Sequence, residues 1–230
     1  MTVAMPALAI IIPALNAAET LEATLRMVAD STLLEVELIV VDGGSCDATR
    51  TLAAACGATV IEAPRGRGSQ MASGAAHSTA RWLFFLHADT HLDAGWDATL
   101  ATFMADPANG ERAGVFGLRF DDDASAARRL EWIANRRSRW LGLPYGDQGL
   151  VLSRTFYDAL GGFEPIPIME DVALVRKIGR RRLVHLAGDA VTDARRYQEG
   201  GYIRRMLRNL LCLASYFAGI PPRWLVRLYG

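Results

Sequence analysis

The 230 residues suffice for one well-packed domain, and a composition 51% hydrophobic and 22% charged argues against disorder. Formal net charge is zero, yet residues 1–175 carry 13 basic and 22 acidic side chains while residues 176–230 carry 12 and 3, so the C-terminal part is expected to meet something anionic or the acidic body. No apolar stretch nears the roughly 20 residues of a membrane span. Met1 to Pro6 lack a basic leader region, and Cys46, Cys56 and Cys212 lack metal-ligand spacing; a reduced, cytoplasmic setting is expected.

The first half alternates short apolar runs with amphipathic stretches. Residues 7–12 form a continuous apolar run ending at Pro13, as in a strand buried on both faces. A helix over 17–29 places Leu21, Leu25 and Val28 on one stripe. Strands are predicted at 36–41, 59–62 and 82–86, and helices near 48–56, after the Gly-rich segment 65–74, and over 93–103. This alternation predicts an α/β fold with a parallel, doubly wound sheet. The second half is less regular: a strand at 114–120, a helix over 125–141, a strand at 149–152, and a helix beginning near Glu170. A helical tail from 202 to 229 is broken at Pro221-Pro222. The chain divides into a domain over 1–200, with halves 1–105 and 106–200, and the basic tail 201–230.

Ligands of such sheets bind beyond the C-terminal strand ends, so the residues standing there are the candidates. Asp42 ends a strand before two glycines and can accept from a base imino group or a ribose hydroxyl; its structural use is a charge at a helix N-terminus. For Asp47, helix capping is the expected role. His87 and Asp89, two apart in extended chain, share a face and can address one Mg²⁺ or Mn²⁺ ion; otherwise Asp89 caps the helix after Thr90. His77 and His91 have no nameable partner. Arg65 to Gln70 open a helix with arginines and backbone amides, suited to phosphate. Glu170 and Asp171 open a predicted helix, where acids in the first turn are favoured by the macrodipole.

Taken in order, these motifs resemble the family 2 glycosyltransferases of the GT-A fold. The carriers are Pro13-x-Leu15-Asn16, Asp42-Gly43-Gly44-Ser45-x-Asp47-x-Thr49, Arg67-Gly68-x-Gln70, Phe85-Leu86-His87-Ala88-Asp89-Thr90, Gly146-Asp147-Gln148-Gly149 and Met169-Glu170-Asp171. The resemblance implies a Rossmann-like, mostly parallel sheet and transfer of a sugar, with inversion, from a nucleotide sugar, UDP favoured. Ala14, Leu15, Asn16, Asp42, Gly68 and Gln70 would contact the nucleotide, and Arg195 or Arg196 its diphosphate. Asp89, with His87 where the family has its first Asp of Asp-x-Asp, would hold Mn²⁺ or Mg²⁺. Asp171 would be the general base, Glu170 its substitute, and Asp147 and Gln148 would meet an acceptor of unknown identity. Two motifs also look like a bacterial subgroup linked to arsenosugar biosynthesis.

Rival readings are a sugar-phosphate nucleotidyltransferase, disfavoured because the loop after the first strand has no glycine, and a silent sugar-nucleotide binder. The dinucleotide and P-loop fingerprints are absent, and no nucleic-acid partner is expected. The tail, basic and then apolar over 210–220, is expected to pack on the body or a second copy, with attachment to a membrane surface as the competing use.

Overall fold

The computed structural model describes residues 7–31 and 33–229, with the side chains of Arg196, Arg227 and Tyr229 outside the described set. Its centre is β1 (Leu8–Ala14), buried along its whole length. Because side chains alternate, Leu8, Ile10 and Ile12 enter one core and Ala9 and Ile11 the other. Strands β2 (Val36–Asp42) and β4 (Trp82–Phe85) flank β1 in parallel, and β3 (Thr59–Glu62) lies outside β2.

Helices cover both faces. Leu21 and Leu25 of α1 (Ala18–Ala29), Ala53 of α2 (Thr49–Ala55) and Leu100 of α4 (Trp96–Ala105) fill the first core. Met71 and Ala75 of α3 (Arg67–His77) help fill the second. Helix α3 sits so close that a Cβ on Gly74 would lie 2.4 Å from Ile11 Cγ2. Glycine there is a packing requirement.

The remaining strands extend the sheet in the order β3-β2-β1-β4-β7-β6-β8-β5. They are β5 (Thr90–Leu92), β6 (Ala113–Phe120), β7 (Leu150–Ser153) and β8 (Leu183–Thr192). β7 runs antiparallel to β4 and β6, β8 parallel to β6, and β5 antiparallel to β8. The sheet is thus mostly parallel, as expected. Helix α5 (Ser125–Leu141) covers β6, α6 (Arg154–Ala159) follows β7, and α7 (Glu170–Ile178) contributes Leu174 and Ile178 to the second core.

Three departures from the sequence reading matter. β5 and β8 were not anticipated: β5 is three residues long, and β8 mixes His185, Gly188 and Asp189 into its apolar pattern. Since residues 90–92 pair with β8, α4 starts only at Trp96, and Asp89 caps no helix. A short α8 (Arg195–Gly200) precedes the tail. The tail itself is two helices, α9 (Tyr202–Phe217) and α10 (Pro222–Tyr229), parted at the expected prolines. α9 docks by Cys212 and Leu213 against Met169 and Val172. No helix among the described residues is long and apolar enough to cross a membrane.

Candidate active site

The C-terminal ends of β1, β2 and β4 open into a cleft of about 610 Å³, a volume suited to a small-molecule ligand. Ala14, Leu15, Asn16, Gln70, His87, Asp89, Asp147, Glu170, Asp171 and Arg195 all line it. Asp42, Gly68 and Gln148 do not, and the Arg196 side chain is outside the described set.

One wall comes from the first half of the chain, and its polar groups are occupied. Asn16 turns the chain with a φ of 49°, a left-handed conformation that Asn tolerates. Its N–H donates to Ser45 Oγ at 2.9 Å, and its Oδ1 accepts from the Cys46 N–H at 2.9 Å. Asp47 accepts from the Thr49 and Ala18 N–H groups at 3.0 and 3.1 Å, so from one position before Ala48, the N-cap of α2, it ties the first residue of α2 to the start of α1 rather than supplying the cap itself. Gln70 donates Nε2 to Ala14 O at 2.9 Å and Val41 O at 2.7 Å, clamping the ends of β1 and β2.

Asp42 requires a correction. Its side chain is wholly buried, and its carboxylate accepts from the Gly44 and Ser45 N–H groups at 3.1 and 3.0 Å. In this conformation it folds the loop and presents nothing to the cleft. Gly68 is likewise a packing position: a Cβ there would stand 2.2 Å from the Glu164 carbonyl oxygen. Gln148 is also fully buried, donating Nε2 to Phe116 O at 2.9 Å, so its assignment to the acceptor is not supported.

The opposite wall is built from three distant segments and is acidic. Residues 87–90 form a turn closed by the Thr90 N–H on His87 O at 3.2 Å. The extended-chain premise for pairing His87 with Asp89 therefore fails, although both reach the cleft. The His87 ring instead packs on Gly146, where a Cβ would come within 2.5 Å of Nε2. Asp171 is held by the Gly146 N–H on Oδ2 at 2.9 Å and the Val172 N–H on Oδ1 at 2.7 Å. Met169, just before it, has a φ of 65°, a strained conformation for this residue at the mouth of α7.

Two carboxyls on this wall are electrostatically frustrated. Asp147 Oδ1 is buried without a hydrogen-bond partner. Burial pushes the Asp147 carboxyl up to about 6, opposed by Arg137 and reinforced by the neighbouring charges of Asp171 and Asp89. Glu170 is 4% exposed, and burial followed by the adjacent Asp171 holds it above the usual carboxylate range, against the pull of Arg67. Acids perturbed by burial and by like charges in a cleft are candidates for chemistry.

Residues the sequence reading passed over complete the rim. Glu19, at the start of α1, pairs with Arg195 Nη1 at 2.7 Å, and Arg195 Nε reaches Asp193 Oδ2 at 2.6 Å, linking α8 to α1. Tyr197, Arg205 and Asn209 line the tail side. The surplus of arginine after residue 175 was the signal for this part of the wall.

As to a divalent cation, no three His, Cys, Asp or Glu side chains among the described residues cluster as a metal cage. The donor chemistry fits nonetheless. Mg²⁺ and Mn²⁺ take hard oxygens, commonly one or two carboxylates plus substrate phosphate. Asp89 and the partnerless Oδ1 of Asp147 are such donors, on a wall where added anionic charge is otherwise unfavourable.

Comparison with known proteins agrees with this geometry. Residues 9–163 match the family model "Glycosyl transferase family 2". The glycosyltransferase AglJ of Haloferax volcanii is 34% identical over 133 residues, covering 56% of this chain and 42% of that protein. A PGL/p-HBAD biosynthesis glycosyltransferase of Mycobacterium bovis is 36% identical over 111 residues, 45% and 43% of the two chains. The matched region thus spans less than half the length of these relatives. Among solved structures, S. aureus TarS 1–349 with UDP-GlcNAc superposes with a TM-score of 0.66 at 13% identity, covering 96% of this chain and 70% of that one. The Pyrobaculum calidifontis mannosyltransferase PcManGT, with GDP-Man and Mn²⁺, gives 0.62 at 22%, covering 82% and 56%. At these identities the superpositions establish a shared fold, the one expected from the motifs. With the family match spanning most of its sheet, the chain belongs to glycosyl transferase family 2.

Proposed function

We propose that this chain transfers a sugar from a nucleoside diphosphate sugar to an acceptor hydroxyl in the cleft at the ends of β1, β2 and β4. The observation that carries the reading is the pairing of two unlike walls: a hydrogen-bonded cradle from Ala14 to Asn16 and Gln70, facing the frustrated acids Asp147 and Glu170 beside Asp89 and Asp171. Family membership supports it, as do the ligands of structural neighbours: GDP-Man and Mn²⁺ in one, UDP-GlcNAc in another. UDP is the nucleotide we expect.

In this reading the nucleoside lies along Leu15 and Asn16 and the diphosphate crosses toward Asp89. Asp89 and Asp147 would hold Mn²⁺ or Mg²⁺, which when bound would supply positive charge beside the departing diphosphate. Arg67 and Arg195 line the same space and add cationic donors. Asp171, oriented by two backbone N–H groups, takes the proton of the acceptor hydroxyl as it attacks, which inverts the anomeric centre; Glu170 is the alternative base. The reading keeps a nucleotide half, 1–105, whose residues 87–90 reach across to the acidic wall, and an acceptor half, 106–200. For the acceptor, the resemblance to an arsenosugar-linked subgroup rests only on the His87 and Asp147 motifs and draws nothing from the relatives found.

His87 in place of a first carboxylate favours one other reading, a binder of sugar nucleotides without turnover. Product release from UDP- and GDP-sugars in the presence of Mn²⁺ and simple hydroxyl acceptors separates the two. Hydrolysis or transfer abolished by Asp171→Asn supports the enzyme; tight nucleotide binding with no turnover supports the binder.

A further inference from the structure

The amphipathicity of α9 is inverted. Its inner side sends Arg205 and Asn209 to the cleft, while Ile203, Leu207, Leu210 and Phe217, spaced at helical intervals on one stripe, stand 47–68% exposed. Only Cys212 and Leu213 are buried against the body. The neighbouring helices repeat the pattern. On α10, Trp224 is 60% exposed. On α5, Trp132 and Trp140 are each 58% exposed, with the Arg136 guanidinium between them at 4.2 and 4.4 Å from their rings. Exposed apolar surface on three adjoining helices exceeds the scattered residues normal for a free surface.

We propose that the outer face of α9 and α10, with the exposed face of α5, docks on an anionic lipid surface. The charge pattern selects this occupant. From residue 200 to 230 the sequence has no Asp or Glu, while Arg204 and Arg223 are exposed beside the apolar stripe. A second copy meeting α9 and α10 face to face would oppose arginine to arginine with no acid on either helix, whereas lipid phosphates complement them. Arginine and Trp around a Leu, Ile and Phe stripe is the composition of helices lying in a membrane interface. At about 24 Å from its 16 residues, α9 is too short to span a bilayer. Lying in the interface, it would stand between the lipid and the cleft that Arg205 and Asn209 line.

The inference stands apart from the transferase reading, because its test needs no sugar nucleotide. Purified chain is floated with vesicles of phosphatidylcholine alone and of phosphatidylcholine mixed with phosphatidylglycerol. Flotation with the anionic vesicles, about tenfold weaker with the neutral ones and reduced by high salt, is expected. The variant Leu207→Glu/Leu210→Glu/Phe217→Glu should lose flotation at an unchanged thermal transition, since these side chains are exposed. The variant Arg204→Glu/Arg223→Glu should lose the preference for anionic lipid. Wild-type chain that stays with the dense fraction overturns the proposal. So does a Glu-triple variant that floats like wild type, or a stable dimer that this variant splits without any flotation.

Discussion

The two walls of the cleft differ less in composition than in how far their polar groups are satisfied. On the first, Asn16, Asp47 and Gln70 all hydrogen-bond to backbone, Asp42 buried behind them folds the loop after β2, and the loops after β1 and β2 become one rigid cradle. On the second, Asp147 keeps a buried oxygen without a partner, and Glu170 sits buried beside another acid. Buried polar groups are normally paired, so a satisfied wall reads as scaffold and an unsatisfied one as a place awaiting a ligand, proton or cation.

The sharpest way to break that contrast is to remove chemistry from the second wall. Asp171→Asn is expected to lower turnover by about 10²–10⁴-fold while nucleotide affinity changes little. Steady-state kinetics beside calorimetry checks it, and loss of nucleotide binding in a folded variant would take Asp171 out of the base role. Asp89→Ala should lower Mn²⁺-dependent turnover roughly 10²-fold, with His87→Ala milder. An Asp89→Ala enzyme with the wild-type metal response would leave Asp89 without a role in the cleft.

The same contrast predicts opposite signs for stability. Asp147 has a folded-state pKa of about 6 against 3.8 for the free group, so the folded chain holds that proton to higher pH. Its stability contribution is full below about pH 4 and lost as pH rises through 6, up to about 3 kcal/mol. Asp147→Asn should therefore raise the melting temperature at pH 7–8 and leave it unchanged near pH 4, as read by thermal unfolding across pH. On the first wall, Asp42→Ala should cost about 1–3 kcal/mol, because the Gly44 and Ser45 N–H groups lose their acceptor in a buried place. An Asp42 variant of native stability that fails to bind nucleotide would reinstate it as a ligand contact. Gly68→Ala is expected to cost a similar or larger amount, since its Cβ would meet a backbone carbonyl that cannot swing aside.

Much of the fold was legible because its strongest signals are local. β1 is an unbroken apolar run, β3 and α5 lie at the predicted bounds, and α7 begins at the predicted Glu170. β8 was not legible: His185 and Asp189 break the pattern, and its place comes from pairing with β6, far away in sequence. The site divided in the same way. Strand-end residues such as Asn16 and Asp89 were found from position alone, whereas Glu19 and Arg205 enter the cleft only through tertiary packing. Asp42 illustrates the limit of motif reading, because a strand-end carboxylate before two glycines serves a ligand or its own loop with equal local logic.

In the proposed function the cleft binds a nucleoside diphosphate through a cation held on the acidic wall. Isothermal titration with UDP and with GDP, with and without Mn²⁺, on wild type and Asp89→Ala, addresses it directly. At least one nucleotide is expected to bind tighter than about 1 mM, more strongly with Mn²⁺, with that gain lost in Asp89→Ala. Neither nucleotide binding better than about 1 mM with Mn²⁺ present would contradict it.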